Sequence, residues 1–535
     1  MDKMIKLKSL GLLLGIVSIL IGLSNCSKIE NGLSQLQWQI DFDLVNTSWD
    51  IQFKDAATGE FIGLHDDTRV EVNITGPDQA HVLDMAGIRH DLFFSTKGFL
   101  GLVLHPDRGN PGENDPVKIT VHAKVDGFLP VQVPIETFHI GIQPIEIMLV
   151  NLNAPPEGVK VFHEENISNV VYGKLEDSLL LYTPGNRLEL LIPKDTELRD
   201  KNDFLLGGPL TITLALWDCT KESAMQALTG GPLALLNFTQ FELGIKQPAS
   251  QVFIRIQDQY GKIASQLSKS MEATFLVDPE IFHPEIGRFV RPDDVLPVYV
   301  LDGLTGVWSR ENTVVLEAFQ NKVLARITLN ESGMFHFGWM DQSYCSNPLP
   351  LIFSSLPEYS LLPYSFRLKV YRNYDNQFQY LFSFCIAGQT NGNSELRYLP
   401  VGKELILRFE PYINCSDPYY RSPDPVLLTG ECSINEPLEN HLLPLPPGEV
   451  RELDVVFIDT QHNNTEYTPA SFAGYYRKIG DSCWNSAMVY KGTSYLYKVN
   501  PGEQYEMGIN FKGQFHRKEI VISESGILHV KIDID

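Results

Sequence analysis

Apolar and polar residues alternate with a period of two along most of this chain. Val117, Ile119, Val121, Ala123 and Val125 are interleaved with Lys118, Thr120, His122 and Lys124; Asp126-Gly127 interrupts, and Val131, Val133 and Ile135 resume the pattern. This spacing puts the apolar side chains on one face of a strand, and the Asp-Gly pair supplies the positive φ of a tight connection. The segment is therefore predicted to be a hairpin with one buried face. Phe366, Leu368 and Val370 repeat the alternation, as do Leu405, Leu407 and Phe409. Helical periods are scarce, the best being a short one from Lys221 to Leu228. The predicted fold class is all-β.

A weak internal repeat supports this. Pro184-Gly185 precedes Leu188, Leu190 and Ile192; Pro447-Gly448 precedes Leu453, Val455 and Phe457; Pro501-Gly502 precedes Tyr505, Met507, Ile509 and Phe511; and Pro400-Val401-Gly402 precedes Leu405 more loosely. Each is a turn feeding a strand, because Pro fixes φ and Gly permits the reversal. Repeated β-sandwich construction follows.

The 535 residues exceed one ordinary core, and 43% hydrophobic content is enough to fill several. Pro-rich and polar stretches near Ala154-Pro155-Pro156, from Ser346 to Pro350 and from Leu443 to Gly448 mark the boundaries. The expected layout is a signal peptide over 1–25, a lipidated tether over 26–35 and a β-sandwich over 36–153. A β-rich region ending in a sandwich follows over 154–346, then sandwiches over 347–445 and 446–535.

The amino terminus sets the compartment. Lys3, Lys6 and Lys8 precede an apolar run from Leu10 to Leu23, which leads into Leu23-Ser24-Asn25-Cys26. A basic start and an apolar stretch shorter than the ~18–20 residues of a membrane span describe an export signal. Leu23, Ser24 and Cys26 resemble the lipobox of bacterial lipoproteins, which implies a diacylglyceryl group on Cys26 and a further acyl chain on the new terminus. Chains of that number hold a protein on a bilayer. Ser27 stands where the family uses Asp to retain a protein at the inner membrane, so the outer membrane is expected, with the cell surface favoured over the periplasmic face.

Two further stretches carry resemblances. Asp50 to Asp55 with Thr58-Gly59, Val117 to Val125, Asp126-Gly127-Phe128-Leu129-Pro130 and Ile145 to Val150 resemble the carboxypeptidase-regulatory-like, transthyretin-like β-sandwich. That implies a structural or adhesive accessory domain. Val252 to Ile256, Asp258-Gln259-Tyr260-Gly261, Pro297 to Val300, Thr305-Gly306-Val307-Trp308 and Val323 to Leu329 look like a region of multi-module surface proteins in which a sandwich ends in a tryptophan-bearing hairpin. The expected architecture is thus tandem Ig-like or transthyretin-like sandwiches.

Charge and chemistry exclude more than they assign. Net charge is −23, and loss of residues 1–25 leaves −25. Such a surface repels phosphate backbones, so no nucleic acid partner is expected. No GxSxG, HExxH, phosphate-cradling or dinucleotide motif is present. His163-Glu164-Glu165-Asn166 lacks the second histidine of a zinc helix. Asp293-Asp294 and Glu164-Glu165 are adjacent pairs, which a strand points to opposite faces. Asp107, Asn110, Glu113 and Asp115 read as turn chemistry rather than as a calcium loop. No catalytic residue, metal or cofactor is expected.

Six cysteines remain beyond Cys26: Cys219, Cys345, Cys385, Cys415, Cys432 and Cys483. Their even number in an oxidising compartment makes disulfides plausible, with one or two local bridges beyond residue 384, and leaves the pairing open. The best candidate ligand residues are Tyr419, Tyr420 and Arg421, with Tyr475, Tyr476, Arg477 and Trp484. Exposed Tyr and Arg make contact surfaces; against this, one Tyr of each pair packing in a core is the plainer reading. The expectation is a lipid-anchored, non-enzymatic binding or adhesion array for glycans, matrix or surface proteins. The alternative is a structural subunit of an outer-membrane complex, with a glycan-active enzyme behind both.

Overall fold

The structure is a computed structural model. It describes residues 46–168, 170–185, 187–320, 322–345, 348–353, 363–374, 377–389, 393–401, 404–411, 426–428, 438–440, 449–459, 465–467, 471–481, 484–490, 492–511, 514–523 and 527–533. Cys26, where lipidation is expected, lies outside them, as do Cys415, Tyr419, Tyr420, Arg421, Cys432 and Cys483.

The predicted hairpin is present. Val117–Lys124 pairs antiparallel with Val131–Thr137, placing Ile119 opposite Ile135 and Val121 opposite Val133. The connection runs through Gly127 at φ +79°. It belongs to the first sandwich, whose two four-stranded sheets enclose a core that includes Trp49, Ile51, Phe53, Val72 and Ile119. Strand Thr47–Asp55 is central to one sheet and parallel to Gly141–Leu149 at its edge. The edge strand of each sheet, Val131–Thr137 and Gly141–Leu149, carries a proline, Pro134 and Pro144. Proline cannot donate to a further ladder, so these edges stay open to side-chain packing.

The second sandwich is one ladder of eleven strands folded over on itself. Its hinge is the long strand Trp308–Phe319, which pairs with Val295–Leu301 through its first part and with Lys322–Leu329 through its last. The two halves face each other across Phe275 and Phe337, whose ring centroids are 4.5 Å apart. Burial of each such side chain contributes about 1.5–3 kcal/mol. The short helix expected from Lys221 to Leu228 is observed as Glu222–Gln226 and packs Ala224 and Met225 inward.

Strands Pro363–Tyr374 and Leu405–Pro411 pair in a third module, with Leu368, Val370, Leu405 and Leu407 in its core. The fourth joins eight strands between Glu449 and Asp533 in one sheet. Pro184-Gly185 and Pro501-Gly502 feed strands Leu188–Ile192 and Gln504–Phe511, with both glycines at positive φ. The chain is all-β in tandem β-sandwich form, as its alternation predicts.

The modules are locked together through the first. Glu146 there accepts from Lys54 at 2.8 Å and from Arg367 of the third module at 2.5 Å. Burial raises the Glu146 carboxyl, but the two cations outweigh it and hold the group below the usual carboxylate range. Gln132 donates to the Gly303 carbonyl of the second module at 2.9 Å. Tyr475 of the fourth donates to Asp50 at 2.5 Å.

Cys219 is a buried free thiol, so the six cysteines do not all pair; Cys345 is disulfide-bonded. No helix among the described residues is long and apolar enough to cross a membrane.

Candidate functional site

Of the sequence candidates within the described residues, three are buried. Tyr475 and Tyr476 are 1% and 4% exposed and Trp484 1%, which corrects the expectation that they present an open platform. The physical reason is the module junction. Tyr475 stacks 3.9 Å from Phe99, and Trp484 and Phe99 both meet Phe515, forming an apolar cluster with Phe61. Arg477 lies 4.4 Å over the Trp484 ring and pairs with Glu506 at 2.7 Å. Both tyrosines of the pair are buried, where the plainer sequence reading places one of them in a core.

The polar clusters weighed in the sequence are held in place by neighbours. His163 lies on strand Val159–Ile167 and bonds Thr213 at 2.9 Å. Arg288 holds Asp294 in two bonds of 2.7 and 2.8 Å, and this, over the effect of burial, keeps that carboxyl below its ordinary range. In the 107–115 loop, Arg108 bridges Asp78 and Asp115, while Glu113 reaches Arg397.

A cavity of about 320 Å³ lies among the first three modules, between the proline-bearing sheet edges and the 226–233 segment. Its rim brings Glu113, His139 and Glu395 together. Arg397 contacts Glu113 and donates to Glu395 at 2.7 Å, and His139 meets Glu395 at 2.8 Å. A guanidinium already fills the place a cation would take, so this donor set does not fit a metal.

Among the described residues, the most exposed aromatic side chains lie on the second sandwich, two of them on turns of like construction. In Asp200–Phe204 the buried Asp200 carboxylate accepts from the Asn202 and Phe204 amides, each at 2.9 Å, and its own N–H bonds the Phe204 carbonyl. In Asp258–Lys262 the buried Asp258 does the same for Tyr260 and Lys262. The fourth residue of each, Asp203 and Gly261, has φ of +65° and +82°, the left-handed conformation that closes the turn. Asp258 also accepts from the Gly207 amide at 3.1 Å, which ties the two turns together. The Tyr260 ring lies 3.5 Å from where a side chain on Gly207 would begin, and Leu205 abuts Gly173.

These turns display Tyr260 and Phe204 at 73% and 61% exposure, and the neighbouring 170–175 hairpin displays Tyr172 at 90%, with Val171, Leu205 and Ile263 also exposed. Sequence reading passed over this surface. Its available signal is an aspartate opening each five-residue interruption between apolar runs.

No family model and no curated protein matches the chain. Among solved structures, the major pilin subunit of Bacillus cereus is similar at 9% identity, covering 92% of this chain and 99% of that one, with a TM-score of 0.14. A pilus adhesin of Lactobacillus rhamnosus GG aligns at 10% identity over 70% of this chain and 57% of that one, with a TM-score of 0.11. Scores this low carry no argument about function.

Proposed function

We propose that this is a lipid-anchored, non-enzymatic adhesion or binding protein of the bacterial outer membrane, held through acylated Cys26 at the cell surface. Its contact surface is the loop end of the second sandwich, and its ligands are glycans or matrix. The observation that supports this reading is the platform of Tyr172, Phe204 and Tyr260, two of whose rings stand on turns fixed by buried aspartates. Rings ordered in advance lose little entropy on contact, and their faces suit both sugar rings and protein side chains. Loop ends on a rigid scaffold are also where binding residues concentrate.

The aliphatic share of the same patch, Val171, Leu205 and Ile263, favours a second reading. In it the protein is a structural subunit of an outer-membrane complex, since contiguous exposed apolar surface marks protein contact.

The test is binding of purified residues 27–535 to arrays of polysaccharides and matrix proteins, beside a Tyr172→Ser/Phe204→Ser/Tyr260→Ser variant. Specific binding that the variant loses supports adhesion through this surface. Binding lost instead in a Tyr419→Ala/Tyr420→Ala/Arg421→Ala variant moves the site to those sequence candidates. No binding, with cross-linking to neighbouring proteins on intact cells, supports the subunit.

A further inference from the structure

The cavity among the first three modules has a volume of about 320 Å³. That is roughly twice the ~150 Å³ of an apolar cavity that takes benzene, and it falls in the range of small-molecule sites. Its wall is drawn from three directions. Met148 and Val133 come from the two edge strands of the first sandwich, Leu228 and Leu233 from the 226–233 segment of the second, and Phe382 from strand Gln377–Gln389 of the third. Pro134 and Pro144 also stand in this wall and carry no N–H, so each sheet edge lacks an amide donor there.

The charged side chains in the wall are already paired. Glu146 is held by Lys54 and Arg367, Glu395 by His139 and Arg397, and Glu136 accepts from Tyr398. The uncharged polar side chains are engaged as well. Thr137 accepts from Trp49 at 3.0 Å and Ser383 from Tyr380 at 2.9 Å, while Gln226 donates to Glu222 at 3.0 Å and Gln143 to the His139 carbonyl at 3.4 Å.

This accounting selects the occupant. An ionic ligand would have to break one of these pairs or bury its own charge without a counter-charge. Water gains little, because it needs two to four polar partners at each position. A hydrocarbon surface gains dispersion contacts with the wall and leaves every pair intact. We propose that the cavity binds one uncharged, hydrocarbon-rich small molecule, of the class of medium-chain fatty alcohols and their esters. Such an occupant touches three modules at once and stiffens their joint. None of its wall belongs to the surface of Tyr172, Phe204 and Tyr260.

Decanol is the probe, with phenylnaphthylamine, an uncharged dye that fluoresces in apolar surroundings, as reporter. The purified protein of residues 27–535 is expected to bind the dye at one saturable site. Decanol should displace it at a concentration about tenfold or more below that of decanoate, which has the same chain with a charged head. Met148→Trp fills the cavity from the half-buried outer face of its strand and should abolish dye binding, whereas the Tyr172→Ser/Phe204→Ser/Tyr260→Ser variant should keep it. Crystals soaked in decanol brominated at the chain end are expected to show an anomalous peak between Met148, Leu233 and Phe382; they remain informative if Met148→Trp does not fold. Equal displacement by decanol and decanoate, dye binding kept in Met148→Trp, or a cavity free of bromine in the soaked crystal overturns the proposal.

Discussion

Tyr475 and Asp50 are 425 residues apart in sequence and share a buried hydrogen bond of 2.5 Å. It fastens the last module to the first beside the Phe99 and Trp484 cluster. Tyr475→Phe removes the donor while keeping the ring, and is expected to cost about 1–3 kcal/mol, read from the urea midpoint.

The same pair sets a pH dependence. Burial raises the Asp50 carboxyl above 3.8, over the opposing effects of Tyr475, Gln52 and Lys54. The folded state thus holds this proton more tightly than the unfolded state does. The contribution of Asp50 is largest in acid and declines as pH rises from about 3.8 through the raised value. Asp50→Asn should flatten that part of the stability curve.

Glu146 behaves in the opposite sense. Its carboxyl is held low, so its contribution is present above 4.5 and is lost as pH falls through the depressed value. Glu146→Leu removes the anion shared by buried Lys54 and half-buried Arg367. A loss of about 1–3 kcal/mol is expected at neutral pH, measured by chemical denaturation.

Trp484→Ala empties the junction between the first and fourth modules. Destabilisation of about 3–5 kcal/mol is expected. Limited proteolysis should then cut between the third and fourth modules earlier than in wild type; an unchanged cleavage pattern would argue that the cluster does not hold them together.

Gly230 and Gly127 separate two costs of a methyl group. Both have positive φ, but only at Gly230 would the added carbon meet backbone, 2.5 Å from the Gln132 carbonyl. Gly127→Ala should cost about 1–2 kcal/mol, the conformational cost alone, and Gly230→Ala clearly more, by thermal melts run side by side.

Much of the strand pattern was legible because alternation is local. The pairing of Ile119 with Ile135 needs only a period of two and a glycine turn between. Burial of both Tyr475 and Tyr476 was not legible, since consecutive strand residues face opposite ways and both faces are covered only when distant modules arrive. The partner that hides Tyr475, Phe99, lies in another sandwich. The loop platform escaped for a related reason: each aspartate-led turn is visible alone, but their union rests on the Gly207 amide reaching Asp258. Lys246 reads in sequence as an ordinary polar position in an apolar strand, and only its bonds to the Thr229 and Gly231 carbonyls explain how it is buried.

Strand Thr47–Asp55 runs parallel to Gly141–Leu149 over its whole length. Tension entering at Thr47 and leaving at Leu149 pulls the two strands in opposite directions along their axes. The ladder between them is then loaded in shear, so its hydrogen bonds resist together instead of opening one after another. Glu449–Asp459 beside Leu528–Asp533 repeats the arrangement in the last module. The first and the last of the described modules thus share this shear geometry.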